Sequence, residues 1–186
     1  MVVKVTKSAV VIDETLDRLD HGTIPYEKMP VGSVIQTQWS VLYNQGAVNE
    51  AETNSSSYQP TLFEVRISPK FSNSLMVITA APNIKSNGGS AYHTLAVYKK
   101  IGNVLADFIP VVANGNTAVI HGQANWRFNG ESLWYAQANI FQVDVPGSTE
   151  EIIYKIYHRV SVNGAYSVRT GENSSDEYMM VQEIKQ

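Results

Sequence analysis

The stretch EIIYKIYHRVSVNGAYSVR, Glu151 to Arg169, decides the fold class of this chain. Its first half alternates, so that every second residue from Ile152 to Ile156 falls on the same side of an extended strand. Asn163-Gly164 then supplies two residues that tolerate the positive φ angles of a type I′ turn. The stretch therefore predicts a β-hairpin that joins strands around Ile156 and Val168.

The same two-residue period recurs through most of the chain. LFEVRI (62–67) alternates apolar and charged residues, and LMVITAA (75–81) is a continuous apolar run of the kind found in the middle of a two-sheet core. From Val31 onward roughly eight to ten short strands are separated by turn residues every 8–12 positions or so. This pattern predicts an all-β fold, an antiparallel sandwich of the jelly-roll type.

Residues 1–29 have a different pattern, that of a short helix. Asp13 suits the first turn of a helix, and Gly22 followed by Pro25 suits its end. A helix of about two turns is not stable alone in water, so its apolar stripe needs a partner. The partner is either the chain's own domain or another protein. We expect an N-terminal arm, residues 1–29, that anchors a head domain, residues 30–186. The residues expected to contact the partner share one helical face: Ile12, Leu16 and Leu19.

Composition excludes several classes of function. Charged residues make up 17% of the 186 residues, against roughly 25% in an average domain. A net charge of −3 excludes a phosphate-binding footprint, so nucleic acid is not an expected partner. No apolar run approaches the roughly 20 residues that span a bilayer, so membrane insertion is not expected. The absence of cysteine excludes disulfides and thiolate metal sites.

The segment that opens the β region carries no charge. Pro30 and Gly32 end the arm, and the residues from Val31 to Ser40 are all uncharged. Strands without charge usually lie between other layers of structure. We expect the side of this strand that carries Gln36 and Gln38 to meet a second copy of the chain.

Five segments resemble one known family. They are PVGSVIQTQ (30–38), ISPKFSNSLMVI (67–78), HTLAVYKKIGN (93–103), FQVDVPGSTEEIIYKIYHRV (141–160) and MMVQEI (179–184). In this order they resemble the C-terminal head domain of bacteriophage tail-fibre-like virion structural proteins, of the type common in marine and cyanobacterial phages. Lys99-Lys100 stands where an Arg is common in the family.

The resemblance implies a β-sandwich that forms homotrimers, has no enzymatic activity and belongs to the virion, which is assembled in the host cytoplasm. Residues 1–29 would then bind other virion proteins. Family members often carry a long fibre shaft before this domain, whereas about 30 residues precede it here. A capsid decoration (cement) protein, or a neck or collar protein without receptor binding, is therefore an alternative.

No catalytic, metal or cofactor site is expected. None of the four histidines (His21, His93, His121 and His158) has metal-ligand spacing to another, so we expect them at the surface or half buried. The pairs Glu150-Glu151 and Asp176-Glu177 lie in predicted loops as solvated charge. A glycosidase needs two carboxylates held apart across the sugar, so a polysaccharide-degrading enzyme is disfavoured.

Two sets of residues are candidates for contacting a host-surface glycan, as a carbohydrate-binding module would. The aromatic residues Trp126, Trp134 and Tyr135 either pack in the core or stack on a sugar ring. The second set lies in three polar loops, 83–92, 113–116 and 170–177, which carry Asn87, Asn114 and Asn173. Loops on a rigid sandwich can vary without disturbing the core, so recognition tends to accumulate there.

Overall fold

The computed structural model of this chain describes residues 24–42, 51–86, 92–102, 109–110, 126–127, 134–160, 167–170 and 177–186. A 3-10 helix, Tyr26–Lys28, precedes the strands. In chain order the strands are β1 (Val34–Leu42), β2 (Ala51–Thr53), β3 (Gln59–Ile67), β4 (Leu75–Ala80), β5 (Asn83–Ser86), β6 (Tyr92–Ile101), β7 (Ile109–Pro110), β8 (Trp126–Arg127), β9 (Trp134–Gln137), β10 (Ile140–Asp144), β11 (Ile152–Val160), β12 (Val168–Thr170) and β13 (Glu177–Ile184).

These strands form three antiparallel sheets. The front sheet has the order β1-β13-β4-β10, and the back sheet has the order β3-β11-β6-β7, with β8 also paired to β6. The upper sheet has the order β2-β12-β5-β9. The predicted fold class, an all-β antiparallel sandwich, is confirmed.

The upper sheet is a bent continuation of the front sheet. Two residues separate β4 from β5, and two separate β9 from β10, so each pair is one long strand interrupted at the same level. At the bend Ala138 donates its backbone N–H to the carbonyl of Pro82 at 2.9 Å. Pro82 has no N–H to donate to a ladder, which is why the pairing breaks there. The upper sheet therefore marks one end of the sandwich, which we call the upper end.

The core lies between the front and back sheets. In β3 Phe63, Val65 and Ile67 are buried while Glu64 and Arg66 face outward, as the alternation predicts. The front sheet contributes buried side chains from β4, β10 and β13, and the back sheet contributes them from β3, β6 and β11. Each fully buried large aliphatic or aromatic side chain stabilises the fold by about 1.5–3 kcal/mol.

The predicted hairpin around Asn163-Gly164 is wrong in its strand pairing. β11 is a central strand, bonded to β3 on one side and β6 on the other, so it has no free edge for β12. β12 instead pairs with β2 and β5 in the upper sheet. The turn residues themselves lie outside the described residues.

The lower end, opposite the upper sheet, fastens the start of the described chain to its last strand. Lys185 Nζ donates hydrogen bonds to the carbonyls of Tyr26, Glu27 and Met29 at 3.2, 2.7 and 2.7 Å. Gly32, at φ 87, donates its N–H to the carbonyl of Lys185. From this end β1 runs to the upper end over a length of about 30 Å. The chain therefore enters the domain at the end farthest from the upper sheet.

Candidate interaction surface

The outer face of the front sheet is covered by uncharged side chains in register. One row across the sheet is Trp39, Met180, Thr79 and Phe141, each directly opposite the next. The neighbouring rows, read in the same direction, are Thr37, Gln182, Val77 and Val143, then Val34, Ile184 and Leu75, and on the other side Val41 and Tyr178. We call these residues the neutral face. None of them carries a charge.

Large apolar side chains of the neutral face are exposed. Trp39 is 73% exposed and Phe141 60%, and Val34, Val143 and Tyr178 are also counted among the exposed large hydrophobic residues. With strands about 4.8 Å apart and a rise of about 3.4 Å per residue, the face measures roughly 20 by 25 Å, or about 500 Å². The face is uncharged throughout, although Thr37, Thr79 and Gln182 interrupt its apolar side chains. Exposed clusters of large apolar side chains mark interaction sites.

The side of β1 that faces outward differs from the one expected. A β-bulge between Val34 and Gln36 turns both Ile35 and Gln36 inward. Gln36 Nε2 donates to Glu183 Oε2 at 2.7 Å and to the carbonyl of Ser68 at 2.7 Å. Gln38 lies opposite the buried Val181. The bulge shifts the alternation by one residue, so Trp39 lies on the outer face, while Gln38 on the opposite side of this edge strand is also exposed.

The outer face of the back sheet carries ion pairs beside a tyrosine pair: Tyr98 lies opposite Lys155, and its ring lies 4.3 Å from that of Tyr157. Glu64 lies opposite Lys155 across the strands, and the two form an ion pair at 3.2 Å. Arg66 Nη2 lies 2.8 Å from Glu64 Oε1, and its Nη1 lies 3.4 Å from Glu151 Oε1. Cross-strand ion pairs of this kind are typical of a sheet face in contact with water.

Glu183 joins three of the segments that carry the family resemblance. Its side chain is fully buried, and its Oε1 accepts hydrogen bonds from the backbone N–H groups of Lys70 and Phe71 and from Ser74 Oγ, at 2.8, 3.2 and 2.6 Å. Its Oε2 accepts from Gln36, which belongs to the opening segment. A buried carboxylate is stable only when hydrogen bonds replace its water. This residue therefore fixes the loop between β3 and β4.

A second buried carboxylate joins the other two segments. Asp144 Oδ1 lies 2.7 Å from Lys99 Nζ, and Tyr154 Oη donates to Asp144 Oδ2 at 2.8 Å. Burial, first, and then the charge of Asp144 raise the pKa of Tyr154, so its hydroxyl keeps its proton. Glu183 and Asp144 belong to the segments that resemble the phage family, and both carboxylates already accept hydrogen bonds from neighbouring segments. We therefore assign these residues a role in folding.

Two histidines expected at the surface are buried in the back sheet. The rings of His93 and His158 lie 5.5 Å apart, and both side chains are fully buried. His158 Nδ1 contacts Thr170 Oγ1 at 2.9 Å, while within the described residues the nitrogens of His93 and His158 Nε2 have no hydrogen-bond partner. Burial lowers the pKa of His158 to about 4, and burial and then His158 lower the pKa of His93 well below its usual value.

Glu177 also differs from its expected place. It opens β13 and is buried, instead of lying in a solvated loop. Its two carboxylate oxygens accept hydrogen bonds from the backbone N–H and the side-chain Nδ2 of Asn83, at 2.9 and 3.2 Å. Burial raises the pKa of Glu177 to about 7 despite those bonds. Glu150 and Glu151, by contrast, are exposed as expected.

The predicted contact residues fall into two groups. The arm residues Ile12, Leu16 and Leu19 and the loop residues Asn87, Asn114 and Asn173 lie outside the described part of the chain. For the three aromatic residues the structure describes the backbone. Trp126 lies in β8, paired with His93 of the back sheet, whereas Trp134 and Tyr135 lie in β9 of the upper sheet. They therefore belong to two sheets, and their stacking on a sugar stays a prediction.

The sequence contains a signal for the neutral face at the outward positions of two strands. In IFQVD (140–144) and YMMVQEI (178–184) uncharged or apolar residues occupy the outward positions as well as many inward ones. An antiparallel strand with one wet face should instead show charge at every second position. Phe141 and Met180 were missed because each strand was read for its inward face alone.

Among the described residues no three His, Cys, Asp or Glu side chains lie close enough to share a metal ion. Within the same residues, no helix has the length and apolar character needed to cross a membrane.

Comparisons with known proteins give little. No family model matches the sequence, and no curated protein matches it. Among solved structures, one titled "Structure of infectious bursal disease virus Gt strain" is similar at 15% sequence identity with a TM-score of 0.36. The match covers 88% of this chain and 42% of that chain, so this chain spans less than half of its length. A similarity at this level carries no argument about function.

Proposed function

We propose that this protein is a non-enzymatic virion structural protein whose β-sandwich heads associate as a homotrimer through the neutral face. The neutral face is the observation that carries the proposal. Ion-paired Glu64 and Lys155 lie on the outer face of the back sheet beside the aromatic residue Tyr98. No charged side chain lies on the neutral face, where Trp39 and Phe141 are mostly exposed. Burying this face in an oligomer removes its apolar surface from water.

The width of the neutral face suits a threefold arrangement. Four strands at a spacing of about 4.8 Å give a sheet about 19 Å wide. Three such sheets closed into a triangular prism lie about 5.5 Å from the axis, close to half of the roughly 10 Å at which two sheets pack face to face. The side chains of three faces then fill the centre. The area of about 500 Å² supplies more than half of the 800 Å² or so per partner of a standard interface.

The virion role rests on the resemblance of five segments to phage head domains. The residues of those segments that form the Glu183 and Asp144 networks stabilise the sandwich, and this supports a family likeness of fold.

The position on the virion separates two forms of the proposal. A fibre or spike head would bind the host surface through the predicted loops 83–92, 113–116 and 170–177. A capsid decoration or neck protein would leave those loops without a ligand. Two of these loops have described ends at the upper end of the sandwich, opposite the entry of the chain at Tyr26. For the first loop these are Ser86 and Tyr92, and for the other Thr170 and Glu177. This polarity favours the host-binding form.

The experiment compares full-length chain with residues 24–186 for incorporation into particles. The truncation keeps the carbonyls of Tyr26, Glu27 and Met29 that bind Lys185, so the head is expected to keep its melting temperature. We expect mass spectrometry of purified particles to find the full-length chain and not the truncated one. Particles that contain neither chain would contradict the virion role. Particles that incorporate both chains equally would contradict the anchoring role of the arm.

A further inference from the structure

The upper end of the molecule contains an open polar cavity of about 730 Å³. It lies where β2, the turn after it and the start of β3 meet the residue that precedes β12. Its volume falls within the roughly 300–1,000 Å³ typical of small-ligand sites. The described residues that line it are Glu52, Thr53, Asn54, Ser55, Gln59, Pro60 and Ser167.

The cavity offers hydrogen-bonding groups without net charge. Hydroxyls come from Thr53, Ser55 and Ser167, and amides come from Asn54 and Gln59. Glu52 is the one charged residue among these lining residues, and its carboxylate lies 3.1 Å from Arg169 Nε, which compensates its charge.

The wall of the cavity is held in place before any ligand arrives. Thr53 Oγ1 accepts a hydrogen bond from the backbone N–H of Ser55 at 3.1 Å, and Ser55 Oγ accepts one from Ser57 at 3.0 Å. Val160, at the end of β11, donates its N–H to the carbonyl of Ser55 at 3.0 Å. The turn is thus fixed to the central strand of the back sheet. A preformed site loses less entropy on binding than one that must first order.

We infer that this cavity binds an uncharged saccharide. Among the lining residues that the structure describes, anionic ligands find no uncompensated positive charge, and apolar ligands find little besides Pro60. A neutral saccharide presents many hydroxyls that both donate and accept, which matches paired hydroxyl and amide groups. The cavity lies at the end of the sandwich farthest from the entry of the chain at Tyr26, where a host surface would be met.

Binding at a single cavity is expected to be weak, on the order of 1 mM, since the site is open and wet and its ligand exchanges water for similar hydrogen bonds. Three linked copies raise the apparent affinity through effective concentration. The inference rests on the proposed function in two respects: the use of three copies, and the host surface that the upper end would meet. None of the lining residues belongs to the neutral face, so the cavity and self-association can be tested separately.

The test applies the full-length chain to an array of neutral hexose and N-acetylhexosamine oligosaccharides, alongside sialylated, uronate-containing and sulfated ones. A neutral glycan that binds is then titrated in solution by NMR against wild type, Asn54→Ala/Gln59→Ala and Asn139→Ala. Asn54, Gln59 and Asn139 are all exposed, and Asn139 lies outside the cavity lining, so it serves as the matched control. Melting temperatures establish that all three proteins are folded.

We expect binding to neutral glycans, a loss of at least tenfold in affinity in the double variant, and unchanged affinity in Asn139→Ala. Binding to acidic glycans alone, no binding to any glycan, or equal affinity of the double variant and wild type would each overturn the inference. A chain that forms trimers without binding glycans overturns this inference and leaves the proposed function standing. A monomer that binds neutral glycans through the cavity does the reverse.

Discussion

The two outer faces of the sandwich are built from the same strand geometry and differ in charge. Across the back sheet Glu64, Arg66 and Lys155 form cross-strand ion pairs in contact with water. Across the front sheet the equivalent positions hold Trp39, Met180 and Phe141 in one row without a charge. Both faces belong to one chain in which 17% of the residues are charged, so the absence of charge on the neutral face is a property of the front sheet and not of the whole chain. Under the proposed function, the front sheet lacks charge because it is buried between copies of the chain.

The largest expected effect comes from placing a charge on the neutral face. Trp39→Glu should convert the trimer to monomers at micromolar concentration, because each of three buried carboxylates would cost several kcal/mol. Trp39 is 73% exposed in the single chain, so the fold itself should survive. Light scattering gives the mass, and the matched control is Leu62→Glu, an exposed apolar residue of β3 in the back sheet. Equal masses for the two variants would remove the distinction between the faces.

The next effect is the loss of stability on removing the buried carboxylate of Glu183. Glu183→Ala leaves Gln36 Nε2, Ser74 Oγ and two backbone N–H groups without their acceptor, so we expect a loss of about 3–4 kcal/mol in the free energy of unfolding. Urea denaturation in the Trp39→Glu background measures it without a contribution from association. Glu64→Ala, which removes a surface carboxylate, should cost less than about 1 kcal/mol. A loss for Glu183→Ala no larger than that would show that the network is dispensable.

A third effect depends on pH. The pKa of His158 is lowered to about 4 and that of His93 is lowered well below its usual range, so on acidification below about pH 6.5 the unfolded chain takes up protons that the folded chain does not. These histidines therefore stabilise the fold at pH 7 and lose that contribution on acidification. Glu177, with a pKa raised to about 7, acts in the opposite sense, since its contribution is lost as the pH rises toward 7.

A variant separates the pH dependence of the histidines from that of Glu177. In the Trp39→Glu background, the stability of the reference protein minus that of His93→Leu should fall as the pH is lowered from 7 to 4.5, because the lowered pKa keeps His93 neutral in the folded chain while the unfolded chain takes up a proton. Because Glu177 is present in both proteins, its contribution cancels in this difference. A difference that does not change with pH would mean that His93 titrates normally and is therefore accessible to water.

The smallest effect belongs to the charged face. Replacing Glu64, Arg66 and Lys155 together by Gln should change the free energy of unfolding by less than about 1 kcal/mol, because exposed ion pairs contribute little. The mass of the oligomer should stay the same, since these residues do not belong to the neutral face. A loss above about 2 kcal/mol, or dissociation of the oligomer, would show that the back face also contributes to assembly.

Local sequence patterns predicted the individual strands better than they predicted which strands pair with each other. The alternation in β3 correctly placed Phe63 and Val65 inside and Glu64 outside, because a strand buried on one side has apolar residues at every second position. Asn163-Gly164 suggested a hairpin, but which strands pair depends on which edges are free, and β11 has none. The bulge at Ile35 was not visible either, since one inserted residue changes no composition.

The candidate surface was predicted in part. The uncharged run from Val31 to Ser40 indicated a covered strand, and contact of its Gln36 and Gln38 side with a second copy stays a prediction. Phe141 and Met180 come from segments far away in sequence that only the sheet order brings beside Trp39. The burial of His93, His158 and Glu177 was missed because these residue types are most often exposed or half buried, and only their neighbours in space reveal the exceptions.

The central claim, that the neutral face joins three copies, is tested most directly by the mass of the wild-type protein in solution. Sedimentation equilibrium at about 10 µM, far above the dissociation constant of a typical stable interface, needs no assumption about shape. The account predicts three times 20.6 kDa, about 62 kDa, and a shift to 20.6 kDa for Trp39→Glu. A wild-type mass of 20.6 kDa, unchanged by that substitution, would contradict it.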